Sequence, residues 1–283
     1  MKPCLFDYNK PSNLEDALAI LDEYPDAVVI AGGQSLVAML NMRLVAPSHV
    51  VDIGGLSELK GISVDGDWLR LGAMVRHCDI GASQTISKAT PLLSEAVLHI
   101  AHPAIRNRGT IGGSLALADP AAELPACLVA LGGQLEIEGL DGARHVDAAD
   151  FFIGSFETAL QPSEILRAVK VPVLAQGYRT EFDELARRHG DYALAGLAAL
   201  GRIDNGCVYD LRLAFFAAGD KPALAAATAR NLEGKALSEA NIEDAVAHIG
   251  EDIRPVGQPG CGEQIKLHHC GVLAKRALYR MAA

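Results

Sequence analysis

Apolar residues recur at helical spacing at Leu14, Ala17, Leu18 and Leu21, directly after Ser12-Asn13-Leu14-Glu15. The Ser-x-x-Glu order is a capping-box pattern, so a helix is predicted to open there. The run Ala27-Val28-Val29-Ile30 predicts a buried strand over 27–31. Leu36 to Leu44 predicts a helix ended by Pro47, and His49 to Ile53 a second strand, which together make a small β-α-β-like unit. Ile62-Ser63-Val64 and Trp68-Leu69-Arg70-Leu71 flank Asp65-Gly66-Asp67 and predict a hairpin. Helices are expected near 77–84 and 91–101. Asp119-Pro120 predicts a further helix start, with Pro in the first turn, and Leu124 to Leu131 continues as helix. Gln134 to Glu138 alternates like a strand before a turn at Asp141-Gly142. Glu164 to Val171 predicts a strand halted by Pro172.

Residues 173–181, with Gly177 and a shift to charged sequence, predict a boundary. Beyond it, Phe182 to Leu200 and Val208 to Ala217 predict long strands around Asn205-Gly206. Helices are predicted from Lys221 to Asn231, including the Ala-rich run 223–229, from Glu239 to Ile249 after a Ser238 cap, and from Lys266 to Met281. Strands followed by helices point to an α+β domain.

Two stretches interrupt this patterning with glycine. In the first, Ala31-Gly32-Gly33-Gln34-Ser35 separates a predicted strand from a predicted helix. That geometry leaves free N–H groups beside the positive helix end and suits a phosphate; Ser35 would cap the helix or donate to a phosphate oxygen. In the second, Ile105-Arg106-Asn107-Arg108-Gly109-Thr110-Ile111-Gly112-Gly113-Ser114 reads as a bend whose successive N–H groups form a concave anion nest. Thr110 and Ser114 add hydroxyls. A diphosphate between the two loops is the natural expectation.

Charge and cysteine usage narrow the classes. A net charge of −10 argues against nucleic acid and anionic membrane surfaces as partners. No apolar run has the length of a transmembrane helix, and Met1-Lys2-Pro3 does not begin a signal peptide. The six cysteines are scattered without Cys-x-x-Cys, which predicts reduced cytoplasmic thiols and no iron–sulfur cluster on this chain. Gly260-Cys261-Gly262 meets Ile265 where a dinucleotide fingerprint needs its third Gly, and no P-loop, Gly-x-Ser-x-Gly or His-Glu-x-x-His occurs. His99 and His102, three apart on a predicted helix, fit a helix-end role better than a metal site. His268-His269 diverge on the last helix.

Ala-Gly-Gly-Gln-Ser-Leu at 31–36 and Ile-Arg-Asn-Arg-Gly-Thr-Ile-Gly-Gly at 105–113 resemble the FAD-binding medium subunit of the molybdenum hydroxylases, the xanthine dehydrogenase and carbon monoxide dehydrogenase family. The resemblance spans nearly the whole chain. It implies an α+β chain: a two-subdomain, vanillyl-alcohol-oxidase-like (PCMH-type) FAD-binding domain at 1–55 and 56–175, then a C-terminal α+β domain with an antiparallel sheet at 176–283. It implies FAD in the cleft between these parts, with Ala31, Gly32, Gly33, Gln34, Ser35 and Leu36 and with Thr110, Ile111, Gly112, Gly113 and Ser114 at the pyrophosphate. Asn107 would contact the flavin or brace the loop. Asp119 would accept from ribityl or ribose hydroxyls, or cap the helix at Pro120. Tyr192, in Arg187-Arg188-His189-Gly190-Asp191-Tyr192, would lie over the flavin ring or finish a strand edge. Arg106 and Arg108 would balance phosphate charge or pair with a nearby Asp. Lys170 reads as structural, and Gln34 departs from the His of some relatives.

The implied function is an electron-transfer oxidoreductase subunit in the cytoplasm. A large molybdopterin subunit would hydroxylate the substrate, a small subunit with two-iron two-sulfur clusters would feed electrons to this FAD, and the complex would be a dimer of heterotrimers. No catalytic residue and no metal ligand is expected on this chain. A stand-alone flavin dehydrogenase or oxidase, and a flavin-free assembly subunit, are the alternative readings.

Overall fold

The structure, a computed structural model, describes residues 2–283. Three parallel strands form the first sheet. β1 (Asp7–Asn9) and β2 (Val28–Ile30) lie on either side of β3 (His49–Asp52), so that Tyr8 and Val28 both face Val50. The short polar strand β1 carries no apolar period and was not predicted. Helix α1 (Leu14–Glu23) buries Leu14, Ala17, Leu18 and Leu21 as the spacing predicts. Asn13, not Ser12, caps it. Asn13 Oδ1 accepts from the Asp16 N–H at 2.8 Å and its amide donates to the Asp16 carboxylate at 2.9 Å, so the reciprocal pair sits one residue later than the capping-box frame. Helix α2 (Leu36–Asn41) is shorter than predicted.

The second sheet is antiparallel, in the order β4 (Ile62–Asp65), β5 (Trp68–Gly72), β10 (Ile165–Pro172), β6 (Gln134–Gly139), β7 (Gly142–Asp147). The hairpin turn at Asp65-Gly66 is as predicted, with Gly66 at φ +55°. The two helices expected between 77 and 101 are three: α3 (His77–Ala82), α4 (Gln84–Ala89) and α5 (Pro91–Ala96). Ser83 makes the break because its hydroxyl accepts from the Ile86 N–H and starts α4. Next come α6 (Pro103–Arg106), α7 (Ile111–Leu117) and α8 (Glu123–Leu131). Asp119-Pro120 does not open α8; it lies in a preceding turn where Asp119 Oδ1 accepts from the Ala121 N–H at 2.9 Å. The short elements α9 (Ala148–Phe151), β8 (Phe152–Gly154) and β9 (Glu157–Thr158) lead into β10.

The third sheet is also antiparallel, ordered β11 (Tyr178–Ala186), β12 (Ala193–Asp204), β13 (Cys207–Phe216), β14 (Ala223–Leu224). The single strand predicted from 182 to 200 is two strands reversing at 187–192, because apolar alternation resumes in phase after the turn. Ala223 and Leu224 pair with β13 rather than starting a helix. Helices α10 (Ala226–Leu232), α11 (Glu239–Val246, capped by Ser238 as predicted), α12 (Ile249–Asp252) and α13 (Glu263–Ala282) complete the chain.

Alternation on β12 and β13 buries both faces. Leu197, Ala199, Leu213 and Phe215 pack with α10, α11 and α13. Ala198, Leu200, Ala214 and Phe216 join the core of α5, α8 and the second sheet. Residues 173–181 are therefore no loose linker: the Val173 N–H donates to Asp67 O and the Leu174 N–H to Ala89 O, each at 2.8 Å.

Candidate functional site

The parallel strands β2 and β3 end side by side, with Ile30 opposite Asp52. The turn Ala31–Ser35 leaves at that edge, where open sheets present backbone to ligands. Gly33 takes φ +70°, which glycine adopts without strain. Among the described residues, no acceptor is found for the N–H groups of Gly32, Gly33, Gln34 or Ser35. The turn is held from its carbonyl side instead, by the Val37 N–H on Gly33 O, the Met39 N–H on Ser35 O and the Gln34 side-chain amide on Gly32 O. Ser35 is the N-cap of α2 by position, but its hydroxyl makes no capping bond.

The second glycine segment is used differently. Thr110 caps α7, with Oγ1 accepting from the Gly113 N–H at 3.1 Å. The Ile111 N–H goes to Val75 O, the Gly112 N–H to Ala73 O and the Ser114 N–H to Thr110 O. The expected anion nest is therefore not formed there: Gly112, Gly113 and Ser114 are the first turn of a helix, and their N–H groups are committed. The glycines admit protein rather than ligand. A Cβ at Gly112 would sit 2.5 Å from Ala73 Cβ, and one at Gly109 would press on the His77 ring at 3.0 Å. A Cβ at Gly32 would overlap the Arg108 carbonyl oxygen, so the two glycine segments touch directly, and Gly113 faces Ala31.

Beside this contact lies a cleft of about 730 Å³ walled by Ile30 to Gln34, with Asp52, Lys60, Met74, Arg76 and Arg108 among its other residues. None of the three cations is ion-paired among the described residues. Asp52 is occupied by the Tyr8 hydroxyl and the Gly54 N–H. Sequence reasoning missed Lys60, Arg76 and Asp52. Only Asp52 left a trace, as the polar residue ending a strand parallel to the first. Arg106 pairs with no carboxylate among the described residues; its guanidinium donates to the carbonyls of Leu98, Ile100 and Ala101. Lys170 is structural, 2.7 Å from Glu136. Burial alone would raise the Glu136 carboxyl, but hydrogen bonds from Arg70 and Lys170 hold it down at about 2.

A second group gathers at the far end of α7. Asp119 follows its C-cap Ala118, and burial raises the Asp119 carboxyl above the usual range. Tyr192 stands 70% exposed, with its phenol raised by desolvation and by the nearby carboxyls of Asp119 and Glu123. It ends the β11–β12 turn rather than a strand edge. That turn leans on the helix before the second glycine segment, since a Cβ at Gly190 would meet the His102 ring at 2.5 Å. His102 begins α6 and His99 lies in a turn 3.5 Å from Glu184; among the described residues no cluster of His, Cys, Asp and Glu is arranged to hold a metal. Among the described residues no helix is long and apolar enough to cross a membrane. Asn107, Ser114, Asp119 and Tyr192 do not line the cleft beside the first loop. Asn107 is exposed at the C-terminal end of α6, and Ser114 sits one turn into α7.

The arrangement fits a dinucleotide: unclaimed backbone donors and unpaired cations at one end, and hydroxyl-accepting and aromatic groups at the other. Comparison with known proteins agrees. The model of the FAD binding domain in molybdopterin dehydrogenase matches residues 5–174, and that of the CO dehydrogenase flavoprotein C-terminal domain matches 180–281. The 6-hydroxypseudooxynicotine dehydrogenase complex subunit alpha of Paenarthrobacter nicotinovorans is 46% identical over 72% of this chain and 70% of its own. The carbon monoxide dehydrogenase medium chain of Afipia carboxidovorans is 34% identical over 100% of this chain and 99% of its own. Quinoline 2-oxidoreductase from Pseudomonas putida 86 superposes with a TM-score of 0.95 at 37% identity, covering 100% of this chain and 98% of that one. With the glycine cradle, the fold and these matches together, the chain belongs to the FAD-binding medium subunits of the molybdenum hydroxylases, a family of oxidoreductases.

Proposed function

We propose that this subunit carries electrons from two-iron two-sulfur clusters of a small partner subunit, through FAD, to an external acceptor, while a large molybdopterin subunit hydroxylates the substrate. The complex is a cytoplasmic dimer of heterotrimers. The FAD-binding part comprises 1–55 and 56–175, and 176–283 is the C-terminal domain. The observation that carries this reading is the row of unclaimed N–H groups at Gly32, Gly33, Gln34 and Ser35, pressed against Arg108 and Gly109. Those donors, with Lys60, Arg76 and Arg108, would hold the pyrophosphate. Ser35 would add a side-chain donor, and Asn107, Thr110 and Ser114 would brace the second segment, while Ile111, Gly112, Gly113, Ala31 and Leu36 shape the floor by packing.

Helix α7 has seven residues. At that length it spans about 10 Å, a distance a ribityl chain can bridge. A cofactor held at the first loop would therefore bring its ring to Asp119 and Tyr192. Asp119 would accept from a ribityl hydroxyl, and Tyr192 would cover one ring face and limit access to it. When bound, FAD supplies the exchange between one-electron and two-electron carriers; the protein supplies placement and field. The relatives act on molecules as different as quinoline and carbon monoxide by their names, so the substrate is set by the partner chain.

The test is the visible spectrum of the purified chain, the identity of the released chromophore and the proteins that co-purify. Near-stoichiometric FAD, together with molybdenum and iron–sulfur partners, supports the reading. Flavin bleached by substrate with no partner present makes the chain a stand-alone dehydrogenase. A colourless folded protein that refuses added FAD leaves an assembly subunit.

A further inference from the structure

Helix α13 buries Cys270, Leu273, Ala274, Ala277 and Met281, and one residue of that same face is a lysine. Lys266 is 4% exposed, and among the described residues no carboxylate pairs with it. A buried ammonium without a counter-charge costs more than an apolar side chain of similar size, so packing alone does not account for it. Its acceptor is the carbonyl oxygen of Ala217, the residue that leaves β13. The Ala217 N–H in turn donates to Pro120 O at 2.7 Å, one residue from Asp119.

The backbone on either side of Asp119 is strained. Ala217 takes φ +55° and Ala118 takes φ +49°. Phe156, whose N–H donates to Ala118 O at 3.0 Å, takes φ +57°. Three left-handed residues that are not glycine thus bracket one aspartate, and such strain persists only where the surroundings impose it. Asp119 gives Oδ1 to the Ala121 N–H, and among the described residues its other oxygen has no donor. The stretch that leads into α13 also holds the turn that carries Tyr192. Arg187 Nη2, in that turn, donates to Pro259 O at 3.0 Å, and the Val256 N–H donates to Ala218 O at 2.8 Å.

We propose that Lys266 is a positioning residue of the flavin site: through Ala217 and Pro120 it fixes the Asp119 carboxylate where the cofactor meets it. The inference rests on the FAD reading above. A charged donor holds the Ala217 carbonyl in its left-handed setting more firmly than a neutral one would. The Ala217 N–H is thereby aimed at Pro120 O, and the turn that presents Asp119 has one place to sit. Lys266 acts through these two hydrogen bonds and not by contact with the cofactor.

The experiment compares the flavin-loaded parent with Lys266→Met and Lys266→Arg, each purified with the chains that accompany it. Visible circular dichroism reads the surroundings of the flavin ring, and FAD release after dilution reads its grip. In Lys266→Met the flavin bands should change shape and FAD should leave at least about fivefold faster, while the denaturation midpoint holds or rises. Lys266→Arg, which keeps a cationic donor, should restore both flavin readouts in large part. In an Asp119→Ala background Lys266→Met should add nothing further, because both changes remove the same contact. Parent flavin bands and release rate in folded Lys266→Met would overturn the proposal, even if stability fell. So would an undiminished effect of Lys266→Met in the Asp119→Ala background. If Lys266→Met does not fold, Ala217→Gly takes its place: glycine accepts φ +55° without strain, so the turn loosens and the flavin bands should shift in the same direction. Unchanged bands there would overturn the proposal as well. A parent protein without flavin contradicts the FAD reading instead, and does so before any variant is made.

Discussion

The two glycine-rich segments look alike in composition and do opposite work. In 32–35 the backbone N–H groups have no acceptor among the described residues, and the segment is anchored through its carbonyls. In 107–114 the N–H groups of Ile111 to Ser114 are consumed by Val75, Ala73 and Thr110, and the missing side chains let Ala73, His77 and the first loop pack against bare backbone. One segment is a donor surface; the other is the rigid wall that holds it in place. Glycine content alone does not separate a ligand cradle from a close chain crossing. The fate of each N–H does.

The largest effect that sharpens this contrast is Gly112→Val. Its side chain would be driven into Ala73, whose carbonyl oxygen lies 2.7 Å from the Cβ position. The loss in a chemical denaturation curve should reach about 3 kcal/mol or more, with FAD lost only as the fold is lost. A stable Gly112→Val protein that simply fails to bind FAD would turn the wall into a ligand surface and break the comparison.

The wall should also be the acid-sensitive part. His77 is 5% exposed, has no partner for either ring nitrogen, and burial followed by the nearby Arg106 charge lowers its pKa to about 4. It is therefore neutral when folded, and its contribution is present above its unfolded pKa near 6.5 and lost as pH falls toward 4. About 2–3 kcal/mol should disappear across that window. In His77→Gln that part of the pH dependence should vanish, measured as the difference between parent and variant denaturation midpoints at pH 7 and pH 4.5. Equal pH slopes in the two proteins would contradict it.

In the cradle the order of effects should reverse. Gly33→Ala places a Cβ at φ +70°, 3.2 Å from Val37 Cγ2, which costs about 1–2 kcal/mol of backbone strain. FAD affinity should fall by at least about tenfold, a larger fraction of binding than of stability. The smallest effect is Ser35→Ala. Its hydroxyl caps nothing, so the melting temperature of the flavin-free chain should stay put. FAD should bind about threefold to tenfold more weakly, the loss of one hydrogen bond.

Much of this was legible in the chain. Leu14, Ala17, Leu18 and Leu21 and the Asp65-Gly66 turn declare their elements through period and turn chemistry, and the two glycine motifs carry the family. The misreadings share a cause: the deciding interaction was remote in sequence. β1 exists because β3 offers it an edge, and Ala223-Leu224 is a strand because β13 does. The reversal at 187–192 is hidden because residues on both sides keep the same apolar alternation. Arg106 was read as a charge, yet the structure uses it as a cap on three carbonyls. The cations of the cleft, Lys60 and Arg76, follow the first loop at a distance in sequence, and nothing local ties them to Gly32.

Amide hydrogen exchange with and without FAD tests the division of labour most directly. The account predicts that the N–H groups of Gly32, Gly33, Gln34 and Ser35 exchange freely in the flavin-free protein and become protected on binding, while those of Ile111 to Ser114 are protected in both states. Protection gained at 111–114, with 32–35 unchanged, would contradict it.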